Sequence, residues 1–164
     1  MNIRIKSMES LSEMQGKSQV HYQSWQETYR GQLPDTYLDQ MSYEKCLAIT
    51  RRFPENTLVA LDGDTVVGFA VYNDYAEADL SDTGEIRALY VLESHQKRKI
   101  GYRLMQAALS CMPQYKQFAL WVLKGNQKAI PFYQRCGFCF DGKEKTLLIG
   151  THVTEQRMIL KRED

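Results

Sequence analysis

Positive side chains are concentrated between a predicted strand and a predicted helix. Lys97, Arg98 and Lys99 are consecutive, and Arg103 follows one helical turn later. The first N–H groups of a helix have no intrahelical partner, and the helix dipole favours negative charge at that end. Gly101 would let a ligand approach the backbone closely. The segment has the chemistry to hold phosphate, although on its own a solvated basic helix start is the simpler interpretation.

A second group of polar residues lies downstream on one predicted helix. Asn126 and Tyr133 are seven positions apart, which is two helical turns, so both side chains can project from one face. Ala129 lies between them and is small enough for a ligand chain to run along that face. Taken singly, Asn126 is explained as a helix cap and Tyr133 as a structural tyrosine.

Alternating strands and helices must position these residues. Residues 85–92 are rich in Ile, Leu, Tyr and Val and predict a buried strand that leads into the basic turn. From Ile100 to Cys111 apolar residues recur every three to four positions, which predicts an amphipathic helix. Residues 117–123 predict another buried strand. The Asn126 helix follows and ends at Gly137, and Pro131 predicts a kink or a tight first turn in it.

The flanking segments predict further strands and helices. We expect strands at 2–6, 57–61, 65–72, 138–142, 145–149 and 153–160, and helices from Ser7 or Ser10 to about Tyr29, at 34–41 and at 42–52. Together with the central alternation, they indicate a mixed sheet flanked by helices. The first helix carries Trp25 and Tyr29 in an aromatic cluster with Tyr22 and Tyr37, which could be core or could wall a pocket.

The segment between the third and fourth predicted strands, 65–72 and 85–92, is acidic. It holds Asp74, Glu77, Asp79, Asp82 and Glu85 without a compensating Lys or Arg. A solvated hairpin tip is the simpler interpretation. Attraction of a cationic substrate is the functional alternative.

Composition excludes several classes of function. The chain has 164 residues, 43% hydrophobic and 25% charged, which predicts a single globular domain over residues 1–164. A net charge of +1 and the lack of a long apolar run or signal sequence argue against nucleic acid and membrane partners and predict a cytoplasmic protein. The four cysteines are scattered, and Cys136 and Cys139 follow a helix, so neither disulfides nor redox chemistry is expected. The histidines and cysteines are not spaced as metal ligands.

Taken together, the two groups of polar residues resemble one family. Gln96-Lys97-Arg98-Lys99-Ile100-Gly101 resembles the Gln/Arg-x-x-Gly-x-Gly/Ala pyrophosphate loop of the GNAT superfamily of acetyl-CoA-dependent N-acyltransferases. Asn126, Ala129, Phe132-Tyr133 and Gly137-Phe138 resemble its closing Asn…Ala-x-x-Phe-Tyr-x-x-x-Gly-Phe motif. The resemblance covers residues 59–140. It implies an α/β (α+β) fold with a mixed, mostly antiparallel central sheet of about seven strands, flanked by helices and with a splayed parallel pair at its centre.

One residue departs from the family pattern. Lys99 stands where the loop has its first glycine. We expect the replacement to be tolerated if this residue is already helical.

The resemblance implies a role for each matching residue. Tyr133 would be the general acid toward the departing thiolate, and Glu85 the base, acting directly or through water. No metal is implied, and acetyl-CoA would be the cosubstrate. The residues implied in binding it are Leu89, Tyr90 and Val91 along the pantetheine, Gln96, Lys97, Arg98, Lys99, Ile100, Gly101, Tyr102 and Arg103 at the pyrophosphate, and Asn126, Ala129 and Phe132 on the late helix.

The acceptor is less defined. Trp25 and Tyr29, with the acidic segment, are expected to border its site, and the Trp-x-x-x-Tyr-x-Gly-x-x-Pro run resembles bacterial polyamine-acetylating members. A polyamine or other small primary amine is the first expectation and a protein N-terminus the second, with aminoglycosides open. The alternative is a non-catalytic module that binds acyl-CoA. A homodimer is also left open.

Overall fold

A seven-stranded sheet forms the centre of the computed structural model, which describes residues 2–163. Its strands are β1 (Ile3–Ser7), β2 (Thr57–Asp62), β3 (Thr65–Asp74), β4 (Thr83–Val91), β5 (Gln117–Leu123), β6 (Cys139–Leu148) and β7 (His152–Lys161). The helices are α1 (Leu11–Tyr29), α2 (Asp35–Asp39), α3 (Tyr43–Arg52), α4 (Ile100–Ser110) and α5 (Ala129–Arg135), and a 3₁₀ turn covers Glu93–His95. The strands are ordered β1-β2-β3-β4-β5-β7-β6.

The two central strands separate after a short paired stretch. β4 and β5 are parallel and pair only at Thr83–Gln117, Gly84–Phe118 and Glu85–Ala119, while the other neighbouring strands are antiparallel. β4 is also irregular on its other side, where its register with β3 shifts near Val71. The predicted mixed sheet with a splayed parallel pair is therefore confirmed.

Serine side chains cap the starts of α1 and α3, and Ser10 is one of the two caps predicted for the first helix. Ser10 caps α1, because its hydroxyl accepts the Glu13 N–H while the Glu13 carboxylate accepts the Ser10 N–H, which is a capping box. Ser42 caps α3 in the same way through the Lys45 N–H at 3.1 Å.

Two predicted boundaries are wrong. The strands expected at 138–142 and 145–149 are one continuous strand, β6, and Gly142 with φ of +87° lies at an irregularity in its pairing with β7. The late helix begins at Ala129 instead of directly after Asn126. Pro131 therefore falls in the first turn, where its missing N–H costs no intrahelical hydrogen bond.

Helices cover both faces of the sheet. On one face α4 buries Ile100, Leu104 and Met105 against residues such as Phe118 and Leu120. On the other face, Val20 of α1 packs with Val59 and Phe69. Burial of a side chain of this size contributes about 1.5–3 kcal/mol, so packing on both faces stabilises the position of the central strands. Within residues 2–163, no helix is both long and apolar enough to cross a membrane.

Candidate functional site

A cavity of about 1320 Å³ opens where β4 and β5 separate. One end, which we call the basic end, is lined by residues 93–102 and by α5. The opposite end, which we call the aromatic end, is lined by Trp25, Tyr29, Leu33, Trp121, Ile149 and Glu155. Leu89, Tyr90 and Val91 of β4 line the passage between the two ends. One continuous cavity therefore joins the predicted phosphate loop to the predicted acceptor region.

Two lysines give the basic end its backbone shape. Lys97 has φ of +64° and Lys99 has φ of +62°, both in the left-handed region. Lys99 is the first flanking residue of α4, and no side chain caps that helix start. The condition under which the replacement of glycine was expected to be tolerated, a helical Lys99, is therefore not met. Lys99 keeps the left-handed conformation that a glycine adopts freely, at a cost of about 1–2 kcal/mol for a residue with a Cβ atom.

Contacts from other elements fix the loop before α4. The Glu27 carboxylate on α1 accepts the Glu93 N–H at 3.0 Å. His95 Nε2 lies 3.0 Å from a carboxylate oxygen of Asp62 at the end of β2. The Gln96 side-chain amide donates to the Val91 carbonyl at 3.0 Å. Glu27 and Asp62 lie far from the loop in sequence, so no local motif could have identified them as its supports.

The predicted loop residues divide between the cavity and the rest of the protein. Those that line the cavity are Gln96, Lys97, Lys99, Ile100, Gly101 and Tyr102. Arg103 instead donates to the Ile3 carbonyl on β1 at 3.0 Å, and Arg98, which is exposed, is not among the described residues lining the cavity. A Cβ atom on Gly101 would lie 3.3 Å from Phe132 Cζ. Gly101 therefore lets α4 approach α5 closely as well as leaving the cavity open.

Asn126 and Tyr133 both face the cavity, as their spacing indicated. Asn126 is buried, and its side-chain oxygen accepts the Ala129 N–H at 3.1 Å, so it caps the start of α5. Tyr133 contacts Phe132 and Phe138 edge-on, with ring centroids 5.5 and 6.2 Å apart. Burial raises the pKa of the Tyr133 hydroxyl. The hydroxyl is therefore protonated at neutral pH and can donate a proton.

The aromatic end is built from rings in edge-to-face contact, and two tyrosine hydroxyls lie within hydrogen-bond distance of each other. Trp25 and Tyr29 on α1 lie edge to face with centroids 4.7 Å apart, and the hydroxyls of Tyr29 and Tyr90 are 2.9 Å apart. Burial raises the pKa of both tyrosines. Of the predicted aromatic cluster, Trp25 and Tyr29 wall the cavity.

Two glutamates lie near this end, and only one had been singled out from the sequence. Glu85 is half-buried, and its carboxylate accepts from the Asn73 amide at 3.2 Å; it is not among the described residues lining the cavity. Glu155 on β7 is half-buried and does line the cavity. Burial raises the pKa of both carboxyl groups. Glu155 belongs to no local motif, and it stands in a run of four polar residues of β7, so no local pattern marked it.

The acidic segment before β4 is not a free solvated tip. Arg157 on β7 is 6% exposed and contacts carboxylate oxygens of Asp79 and Asp141, each at 2.6 Å, and the Tyr75 hydroxyl at 3.0 Å. Lys145 lies 3.8 Å from Glu77. The compensating cations that the segment itself lacks are thus supplied by β6 and β7, and they fix the segment beside the aromatic end.

The cysteines are unpaired, and side chains that could bind a metal are dispersed in the described part of the chain. All four cysteines are free. Within residues 2–163, no three His, Cys, Asp or Glu side chains are grouped so that they could hold a metal ion. The polar groups that line the cavity include the Tyr133 hydroxyl, the Glu155 carboxylate, lysines and the free Cys136 thiol.

Comparison with known proteins identifies the family. The sequence profile of the Acetyltransferase (GNAT) family matches residues 21–138, more than half of the chain. A relative from Mycobacterium tuberculosis (strain ATCC 25618 / H37Rv), named "Probable N-acetyltransferase Rv2775", is 29% identical over 153 residues, which cover 88% of this chain and 84% of the relative.

Solved structures share the fold. PH1933 from Pyrococcus horikoshii OT3 has a TM-score of 0.76 at 22% identity, covering 99% of this chain and 100% of that one. The PaiA N-acetyltransferase from Thermoplasma acidophilum, in complex with coenzyme A, has a TM-score of 0.73 at 23% identity, covering 98% of this chain and 99% of that one. The family match spans both the basic loop and the helix of Tyr133, which confirms the resemblance seen in the sequence. The chain belongs to the acetyltransferase (GNAT) family of acyltransferase enzymes.

Proposed function

We propose that this protein transfers the acetyl group of acetyl-CoA to a primary amine by direct attack within a ternary complex. The observation that carries this proposal is the single cavity that joins the basic end, Tyr133 and the aromatic end. A donor with a phosphate-bearing tail fits one end, and an amine can enter from the other. The thioester would then lie beside Tyr133.

The residues of the basic end suit coenzyme A. Its pyrophosphate is an anion, and the uncapped start of α4 presents unpaired N–H groups beside Lys97 and Lys99. The backbone of Leu89, Tyr90 and Val91 is paired with β3 but not with β5, so the groups that β3 and the Gln96 amide leave unpaired are available to the pantetheine arm. The relative PaiA holds coenzyme A in its crystal structure, which supports the same ligand here.

The proposed chemistry needs no covalent enzyme intermediate. A neutral amine attacks the thioester carbonyl, strand N–H groups stabilise the oxyanion, and the Tyr133 hydroxyl protonates the departing thiolate. A carboxylate removes the proton from the incoming ammonium. The resemblance suggests Glu85 for this step. Because Glu85 is hydrogen bonded to Asn73 and lies outside the cavity lining, it would act through water.

A small amine, with a polyamine first, is the proposed acceptor. The β6–β7 turn closes over the aromatic end: a Cβ atom on Gly150 would lie 2.8 Å from Tyr37 Cβ in α2. This contact leaves less room for a polypeptide than for a slender amine. A protein N-terminus is therefore the second candidate.

Thiol release from acetyl-CoA tests the proposal directly. The purified protein is assayed with spermidine, spermine, a Ser-Ala peptide and an aminoglycoside, and coenzyme A binding is measured separately by calorimetry. We expect release with one amine class. Tight coenzyme A binding without release on any amine would contradict turnover and favour the acyl-CoA-binding module.

A further inference from the structure

Glu155 is the carboxylate that the structure places inside the cavity at its aromatic end. On β7 it is opposite Leu123 of β5 and Lys145 of β6. Leu123 and the neighbouring Trp121 also line the cavity. Glu155 therefore stands at the wall of the cavity, between hydrophobic and aromatic side chains.

Burial and two charged side chains, Lys145 and Glu85, act on the Glu155 carboxyl group. Burial is the largest influence and raises its pKa; the Lys145 ammonium lowers the pKa, and the negative charge of Glu85 raises it again. The ammonium of Lys145 lies 4.1 Å from the centre of the Trp121 ring. The other groups near this end are Tyr29 on α1, Arg87 on β4, Tyr133 on α5 and Arg157 on β7.

The charge of Glu155 also acts on the Tyr29 hydroxyl at the aromatic end. Burial raises the pKa of Tyr29, its hydrogen bond with Tyr90 lowers it, and the charge of Glu155 raises it again. The Glu155 carboxylate is thus close enough to the Tyr29 hydroxyl to influence its ionisation. The Tyr29 hydroxyl in turn meets that of Tyr90, whose backbone lies along the proposed thioester path.

We propose that Glu155, and not Glu85, contacts the ammonium of the acceptor and takes its proton. This inference rests on the proposed acetyl transfer. An N–H bond of the ammonium breaks and an O–H bond forms on Glu155. The free amine then forms the N–C bond, and the C–S bond breaks. Tyr133 gives its proton to the sulfur and regains one from the acetylated nitrogen, and Glu155 releases its proton to water.

Three isosteric charge-removing variants test the assignment: Glu155→Gln, Glu85→Gln and, as a matched control, Glu144→Gln. Glu144 is an exposed residue of β6 that bonds Gln156 and Lys124 and lies away from the cavity. The best acceptor of the wild-type protein is first chosen from spermidine, a Ser-Ala peptide and an aminoglycoside. The kcat/KM for that amine is then measured from pH 5 to 10. Calorimetry with coenzyme A verifies that each variant is folded.

We expect Glu155→Gln to lower kcat/KM at pH 7 by about a hundredfold, the ordinary scale for loss of a general base. In the wild-type protein, kcat/KM should fall as the pH drops through the raised pKa of Glu155, because only the carboxylate accepts a proton. In Glu155→Gln this fall of kcat/KM at low pH should vanish. Its kcat/KM should instead rise as the pH approaches the pKa of the acceptor amine, because the amine then loses its proton in solution before it binds. Glu85→Gln should retain kcat/KM within about fivefold, and Glu144→Gln should match the wild type.

The outcomes separate this inference from the function on which it rests. The role of Glu155 would be overturned if the wild-type protein is active and the kcat/KM of Glu155→Gln stays within twofold of it with the same pH profile. The proposed acetyl transfer would then still stand. A hundredfold loss of kcat/KM in Glu85→Gln but not in Glu155→Gln would identify Glu85 as the base. A wild-type protein that binds coenzyme A but acetylates no amine would overturn the proposed function itself, and this inference with it.

Discussion

The basic and aromatic ends of the cavity are assembled in different ways. The basic end comes mainly from one continuous segment, residues 93–102, with α5 beside it. The aromatic end gathers residues from α1, β5, β7 and the turn before β7. A continuous segment keeps its residue types and spacing as a recognisable motif. An end gathered from distant strands leaves no such motif, so the donor side of this enzyme is far easier to recognise than the acceptor side.

The two ends also control charge differently. At the basic end, exposed lysines and the unpaired N–H groups of α4 provide positive charge in contact with solvent. At the aromatic end, burial raises the pKa of the Tyr29 hydroxyl and of the Glu155 carboxyl group. The first arrangement suits an anion of fixed charge. The second suits proton transfer, where the protonation state must change.

The largest effect is expected when Arg157 is replaced, and it tests whether the stability of the protein depends on the aromatic end independently of ligand binding at the basic end. Arg157→Met should lower the free energy of unfolding by about 3 kcal/mol, because it leaves the Asp79 and Asp141 carboxylates without their buried partner. Urea unfolding measures the loss. Folded Arg157→Met should still bind coenzyme A with the wild-type Kd, and Arg51→Met on exposed α3 should behave as the wild type in both measurements. A Kd that weakened with stability would mean that the two ends are not independent.

A smaller effect is expected where the two ends meet. Tyr133→Phe removes the proposed proton donor and should lower kcat by about a hundredfold, equivalent to about 2.7 kcal/mol, while the Kd for coenzyme A changes less than twofold. Steady-state kinetics and calorimetry give the two values. Tyr22→Phe on α1 is the control. Unchanged kcat would remove Tyr133 from the chemistry.

The smallest effect concerns the left-handed backbone of the basic end. Lys99→Gly and Lys99→Ala remove the same charge, but only glycine relieves the positive φ of +62°. Both variants should weaken coenzyme A binding by a few-fold. In urea unfolding, Lys99→Gly should be about 1 kcal/mol more stable than Lys99→Ala, because its gain in the folded state exceeds its greater freedom in the unfolded chain. Equal stabilities would show that the loop relaxes around residue 99.

Features built from residues that are neighbours in sequence could be predicted, and features gathered from distant strands could not. The sheet, the caps at Ser10 and Ser42, and the basic loop depend on neighbouring residues, so patterns of a few positions identify them. The left-handed Lys99 was missed because a lysine before an amphipathic helix ordinarily adopts helical angles. Here the surrounding contacts of the loop override that preference.

Glu155 and Arg157 could not be assigned from sequence for a different reason. Each is a charged residue within a strand, and its burial depends on which strands lie beside β7. The chain order gives β6 as one neighbour, but only the fold brings β5 to the other side. The acidic segment was likewise predicted to be solvated because its cations lie on β6 and β7.

The three paired positions between β4 and β5 also have a mechanical consequence. A sheet resists bending about its strands through a continuous ladder of hydrogen bonds, and this ladder stops at Glu85 and Ala119. Beyond that point β4 and β5 are not paired, and α4 packs on strands of both halves, β1–β4 and β5–β7. The sheet should therefore bend most easily about this paired stretch. A ligand chain hydrogen bonded along β4 would take the place of a neighbouring strand there and stiffen the sheet.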